Sequence, residues 1–347
     1  VLFNCCYAAS KAKLLINNNF YNKYPILKQN INQTATMHHT TQATYRKTGG
    51  AENKSTTDKE NAIPTATSHE EIHLWLCKPE SINEPLLLNR YKNWLSKDEL
   101  IKMQRFKFAK HQHQYLITRA LIRSLLSYYD SYSHVHADTH TQIAPQDWQF
   151  EKNQWGKPYI IQQQNPNNWA FNLSHTEGLI CCAISQGNSL GVDVEDIQRT
   201  GETLKIADRY FSPQEYKTLI QLPSTERNDR FFDLWTLKES YIKACGKGLS
   251  IPLDEFSFSF TQDQEISKSK TSSPYFSQGI HLDTQTSRQD NPRRWRFWNW
   301  SYQERYRVSL GLKTDEENQA SREVKILSTI PLMEKRLLTN ELKVRHQ

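Results

Sequence analysis

Hydrophobic and polar residues alternate along this chain with two periods, and the places where the period changes outline its elements. Ile72-His73-Leu74-Trp75-Leu76 alternates as a half-buried strand does. Ser96-Lys97-Asp98-Glu99 follows as a capping box, in which the Ser96 hydroxyl is placed for the Glu99 amide and the Glu99 carboxylate reaches back. Beyond it, His113, Leu116, Ile117, Ala120, Leu121 and Leu125 recur at helical spacing and build one apolar face, with Arg119 and Arg123 along its edge. Strands are expected over 170–173, 179–184 and 190–195. A second capping box, Ser212-Pro213-Gln214-Glu215, puts proline at the first helical position, where its missing amide costs nothing. A long helix should run from about Asp229 to Cys245 and stop at Gly246 and Gly248, with Pro252 beyond. Phe256, Phe258 and Phe260 read as a strand, as do 295–300 and 305–312, the last of which closes the sheet. Two Ser-x-x-Glu helix starts, each after a strand region, suggest an internal duplication.

Composition sets the boundaries. Residues 1–70 are rich in Asn, Gln and Thr and cannot bury enough surface to order themselves, so a flexible extension or an artefact of the chosen gene start is expected there, the more so as the first residue is Val. The N-terminal half then covers 71–189 and the C-terminal half 190–312, with a polar loop or insertion near 261–294 and a tail over 313–347. Of the net charge of +7, residues 1–70 hold eight Lys or Arg against four acids, which leaves +3 for the rest. Local clusters therefore matter more than the total. The six cysteines form no Cys-x-x-Cys pair, which fits reduced thiols in a cytoplasm. No signal peptide and no membrane span are expected.

Four clusters bear chemistry. In Gly191-Val192-Asp193-Val194-Glu195 the acids share one strand face about 7 Å apart, a repulsive arrangement that a hard divalent cation would relieve if it is not simply a solvated face. In Trp235-Thr236-Leu237-Lys238-Glu239-Ser240-Tyr241-Ile242-Lys243, Glu239 and Lys243 stand at i and i+4. They form either a surface salt bridge or a metal ligand or base beside lysines that hold phosphate oxygens. Asn172-Leu173-Ser174-His175 ends a strand with a hydroxyl and an imidazole, and Trp155-Gly156-Lys157-Pro158 is a turn presenting a lysine. A second basic feature, the run from Lys92 to Arg123, has eight cationic residues against two acids.

In this order the clusters resemble the 4'-phosphopantetheinyl transferase superfamily, in particular the type that activates surfactin synthetase. Gly156-Lys157-Pro158, Asn172 to His175, Gly191 to Glu195, Trp235 to Lys243 and Gly246-Lys247-Gly248-Leu249 carry the likeness. The resemblance implies an α+β fold, with two similar α/β halves in pseudo-twofold arrangement and coenzyme A between them. It implies transfer of the 4'-phosphopantetheine arm of coenzyme A to a serine of an apo acyl or peptidyl carrier protein, with release of 3',5'-ADP. Asp193, Glu195 and Glu239 correspond to the family's magnesium site. His175, Lys238 and Lys243 correspond to residues around the diphosphate, with Ser174 beside them. Lys157 and Pro158 match the turn near the nucleotide, and Arg119 resembles an arginine that meets the 3'-phosphate. Glu239 would take the serine proton, and the basic run would steer an acidic carrier. A monomer is expected. The alternatives are a coenzyme A binder without activity, a nucleic-acid binder built on Arg293-Arg294-Trp295-Arg296-Phe297-Trp298, and a histidine metal site among His111, His113, His134, His136 and His140.

Overall fold

One order of elements occurs twice among the residues that the computed structural model describes, which are 71–133, 142–187, 189–199, 201–261, 279–285, 290–314, 322–338 and 342–345. It runs first through β1 (Glu71–Cys77), α1 (Pro85–Trp94), α2 (Lys97–Gln104), α3 (Ala109–Ser133), the small hairpin β2 (Phe150–Lys152) and β3 (Pro158–Ile160), then β4 (Trp169–Thr176) and β5 (Leu179–Gln186). It returns as β6 (Ser189–Asp196), α4 (Thr203–Tyr210), α5 (Pro213–Gln221), α6 (Ser224–Cys245), the hairpin β7 (Phe256–Phe260) and β8 (Ile280–Thr284), then β9 (Trp295–Tyr302) and β10 (Tyr306–Lys313). Strand pairing repeats as well. β1 pairs antiparallel with β5 and β5 with β4, just as β6 pairs with β10 and β10 with β9. The fold is therefore α+β with two similar halves. Both expected capping boxes are formed, at α2 and at α5, the corresponding helices of the two halves.

Three segments differ from the sequence reading. α6 begins at Ser224, a turn earlier than Asp229, because Pro223 occupies its N-cap and sets the start. β8 lies inside the stretch expected as an insertion and pairs with β7, whereas 262–278 and 286–289 lie outside the described residues, as do 1–70. The tail expected over 313–347 instead supplies β11 (Glu323–Ile330), β12 (Glu334–Leu337) and β13 (Leu342–Val344). β11 runs parallel to β1 and β13 pairs with β9, so the sheets read β12-β11-β1-β5-β4 and β13-β9-β10-β6. Val324, Ile326 and Leu327 alternate less cleanly than the earlier strands, and they were missed for that reason. No described helix is long and apolar enough to cross a membrane.

Alternation decides what each sheet face meets. Leu74 and Leu76 of β1, Cys181 and Ala183 of β5, Val192 and Val194 of β6, and Val308 and Leu310 of β10 all enter one shared core. The opposite faces are covered by helices: Trp75 and Cys182 pack with Ile117, Leu121 and Leu125 of α3. On β6 the face opposite the shared core carries Gly191, Asp193 and Glu195, so the two acids point under α6 and are buried rather than solvated. Gly191 makes this close approach possible, because a Cβ there would overlap the Ser240 carbonyl oxygen and the Ala244 nitrogen of α6. Those atoms are backbone and cannot swing away. Gly191→Ala is expected to cost about 3 kcal/mol and to lower the melting midpoint by about 6–12 °C, which differential scanning calorimetry would read.

Candidate active site

The two halves meet where β4 runs beside β6, although the strands belong to different sheets. Side chains on β4 take the place of a backbone ladder. The Val192 amide donates to Asn172 Oδ1 (2.9 Å) and the Val194 amide to Ser174 Oγ (3.3 Å), which satisfies donors on a buried strand edge. Asn172 and Ser174 can do this together because residues two apart in a strand share a side.

Ser174 is used three ways, since its hydroxyl also donates to Asp193 Oδ1 (2.8 Å) and accepts from Lys243 Nζ (2.9 Å). Lys243 reaches Asp193 Oδ1 (2.7 Å) and the Val192 carbonyl (3.1 Å) as well. On the next acid, Glu195 Oε1 accepts from Trp235 Nε1 (3.3 Å) and Oε2 pairs with Arg199 Nη1 (3.2 Å). Trp235 and Lys243 stand one turn before and one turn after Glu239 on α6, so Glu239 faces β6 between the contacts to its two acids. It is 1% exposed. The structure thus brings Asp193, Glu195, Glu239, Lys243 and Ser174 to one buried interface. Glu239 and Lys243 are not the surface ion pair that their spacing alone allows.

The repulsion expected between Asp193 and Glu195 is answered by Lys243 and Arg199, each within ion-pair distance of one acid. Among the described residues, no three Asp, Glu, His or Cys side chains are gathered closely enough to hold a metal ion. The donor set nevertheless has the chemistry of a hard-cation site: the acids are oxygen donors, and Asp193 Oδ2 is buried without a hydrogen bond from any described residue. An oxygen left so costs free energy unless something else takes it.

The remaining candidates lie around this centre. His175 is half-buried at the end of β4, on the face opposite Ser174 by strand alternation. Lys157 donates to the Ala244 carbonyl (3.1 Å) and the Leu190 carbonyl (3.2 Å), so it clasps the end of α6 to the start of β6. Its charge there suits the negative end of the helix. Pro158 opens β3 directly after it.

Lys238 is not with the acids. Its ammonium donates to the carbonyls of Leu253 (2.7 Å) and Phe256 (2.6 Å) and pairs with Glu215 Oε2 (2.8 Å), which uses all three donors inside the C-terminal core. Burial holds its pKa below the usual lysine range, with Glu215 opposing the shift. Arg119 also points inward, paired with Glu99 and stacked over Phe150 at 4.8 Å. Arg123 shares the same carboxylate (2.9 Å). Burial alone would raise the Glu99 carboxyl, but the two guanidiniums outweigh it and hold it below the usual range. The basic run from Lys92 to Arg123 thereby loses two of its eight cations to the interior.

Asn172 and Trp235 open two of the quoted motifs without a role assigned from the sequence, and the structure puts both in contact with the acid strand. Arg199 was not named; its place four residues after Glu195 is the one local signal that could have found it. The nucleic-acid alternative fares poorly. Trp295, Phe297 and Trp298 are buried and unavailable to stack on bases. His113 is bonded to the Pro79 carbonyl, and His134, His136 and His140 lie outside the described residues.

Comparison with known proteins agrees on both halves. A family model described as 4'-phosphopantetheinyl transferase, N-terminal, matches residues 87–187, and one described as the 4'-phosphopantetheinyl transferase superfamily matches 189–310. The chain is 32% identical over 195 residues to the 4'-phosphopantetheinyl transferase HetI of Nostoc sp., covering 55% of this chain and 75% of that protein. It is 33% identical over 178 residues to the 4'-phosphopantetheinyl transferase Sfp of Bacillus subtilis, covering 51% and 72%. To the 4'-phosphopantetheinyl transferase gsp of Aneurinibacillus migulanus it is 38% identical over 117 residues, covering 34% and 46%.

Proposed function

This chain belongs to the 4'-phosphopantetheinyl transferase superfamily and transfers the 4'-phosphopantetheine of coenzyme A to a carrier-protein serine with release of 3',5'-ADP, and we propose that it does so at the seam between its halves, on Asp193, Glu195, Glu239, Lys243 and His175. The observation that carries the assignment is the buried Asp193 Oδ2, an acceptor without a hydrogen bond from any described residue, beside two further buried acids.

Asp193, Glu195 and Glu239 would hold magnesium through their carboxylate oxygens, and the ion would supply neutralisation of charge on the diphosphate. Lys243 spends its three donors on Ser174, Asp193 and the Val192 carbonyl and so keeps the β4–β6 seam in register; the phosphate contact that the resemblance implies would require it to exchange one of them. His175, at the strand end, donates to the diphosphate from the other side. Glu239 accepts the proton of the carrier serine as its oxygen attacks the β-phosphorus and the bond to 3',5'-ADP breaks. The two guanidiniums of Arg119 and Arg123 share the single carboxylate of Glu99, and this surplus of positive charge supports 3'-phosphate binding near Arg119. Lys157 and Pro158 fix the turn against which the nucleotide rests. Lys238 holds the core behind α6 and has no part in binding. Acyl and peptidyl carriers both fit a basic rim. One chain supplies both sides of the β4–β6 seam, which supports a monomer, and the free thiols of Cys77, Cys181, Cys182 and Cys245 support a reducing compartment such as the cytoplasm.

Manganese serves as a spectroscopic probe for the metal reading. The free-ion electron paramagnetic resonance signal should fall on adding the purified protein with coenzyme A, and Asp193→Asn should return most of it. A signal that the protein leaves unchanged would remove the three acids as a metal site. Chelation should also stop the mass gain of an apo carrier.

A further inference from the structure

The end of β4 is gripped from both halves of the molecule. His175 is followed by Thr176-Glu177-Gly178, the turn into β5, and the β4–β5 ladder stops at Thr176 and Leu179. Hairpin ends of this kind fray unless other elements hold them. From the N-terminal half, Gln114 Nε2 on α3 donates to the Thr176 carbonyl (2.5 Å). Lys110 also meets Glu177 (3.2 Å), but with side chains 62% and 69% exposed this pair contributes little.

From the C-terminal half, Tyr306 of β10 lays its hydroxyl over Gly178. A Cβ at that position would overlap the phenol oxygen, and Gly178 has a φ of +85°. Tyr306 is itself fixed by the acid strand. Its register partner on β6 is Asp196, the residue after Glu195. The Arg305 guanidinium lies 5.1 Å from the Tyr306 ring and pairs with Asp196 at 2.7 Å. The turn after His175 is thus tied to α3 on one side and, through Tyr306, to the strand of Asp193 and Glu195 on the other.

We propose that Gln114 and Tyr306 are positioning residues, which hold the His175 turn at a set distance from the Asp193–Glu195 strand and so set coenzyme A affinity through His175. The inference rests on the reading that His175 meets the diphosphate. Neither residue touches the ligand. Each acts on the backbone that aims the imidazole.

Calorimetric titration of the full chain with coenzyme A tests both statements separately. His175→Ala weakens binding if the reading of His175 is right; affinity equal to wild type would overturn that reading and the proposal with it. Gln114→Ala should weaken binding about fivefold, the worth of one hydrogen bond, in the wild-type background. In the His175→Ala background it should weaken binding less than about twofold, because the group it aims is gone. An equal loss in both backgrounds, with His175→Ala itself impaired, sinks the proposal and leaves the His175 reading standing. Tyr306→Phe, which removes the hydroxyl over Gly178, should weaken binding in the wild-type background and by less than about twofold in the His175→Ala background. An equal loss in both, or none in the wild-type background, would strike Tyr306 from the assignment.

Discussion

Replacement of Glu239 by glutamine should reduce phosphopantetheine transfer by about 10²–10⁴-fold while leaving the melting midpoint close to that of the wild type. The side chain is 1% exposed and sits one turn from both Trp235 and Lys243, so the isosteric amide occupies the same space without moving α6. What it loses is basicity and negative charge. A carboxylate can take the serine proton as the phosphorus–oxygen bond forms, and an amide cannot. The measurement is the mass of an apo carrier after incubation with coenzyme A and magnesium, with circular dichroism as the check on folding. Wild-type rates in a folded Gln variant would take Glu239 out of the mechanism, whatever the other acids do. Loss of coenzyme A binding along with rate would assign Glu239 to the ground state rather than to proton transfer.

Much of the framework was legible because local rules and the global fold agree. Both Ser-x-x-Glu starts became capping boxes, and they mark the same helix in each half. The alternation of Val192 and Val194 with Asp193 and Glu195 correctly put the acids on one face. It could not say which face was buried, because a strand with apolar residues on one side and acids on the other also suits a sheet surface. Gly191 held that information: a residue without a side chain opposite α6 lets the helix sit directly on the acids. Counter-charges were illegible for a different reason. Asp193 meets Lys243 across 50 residues of chain, and no local pattern encodes that distance. β11 was missed because its register is fixed by β1, more than 240 residues earlier, rather than by its own alternation.

Lys238 shows where motif and geometry part. Residues adjacent on a helix point roughly 100° apart, so Lys238 and Glu239 cannot both face β6. Glu239 and Lys243 share that side, and Lys238 turns into the core, where Glu215 Oε2 receives it together with the Ser212 amide and hydroxyl. Glu215 Oε1 meanwhile accepts from the Phe258 amide (2.9 Å). One buried carboxylate thus ties α5, α6 and β7, and Lys238 balances its charge. Lys238→Met fills the space but strands that charge, which typically costs about 3–5 kcal/mol. The melting midpoint should fall by on the order of 10 °C. Coenzyme A affinity, measured well below the transition, should stay within about twofold of wild type, since all three ammonium donors are spent on the core. The diphosphate role implied by the resemblance makes the opposite forecast: affinity falls sharply and the midpoint holds. Thermal melting and titration on the same preparation therefore decide whether this lysine supports the helix from behind or reaches past it to the substrate.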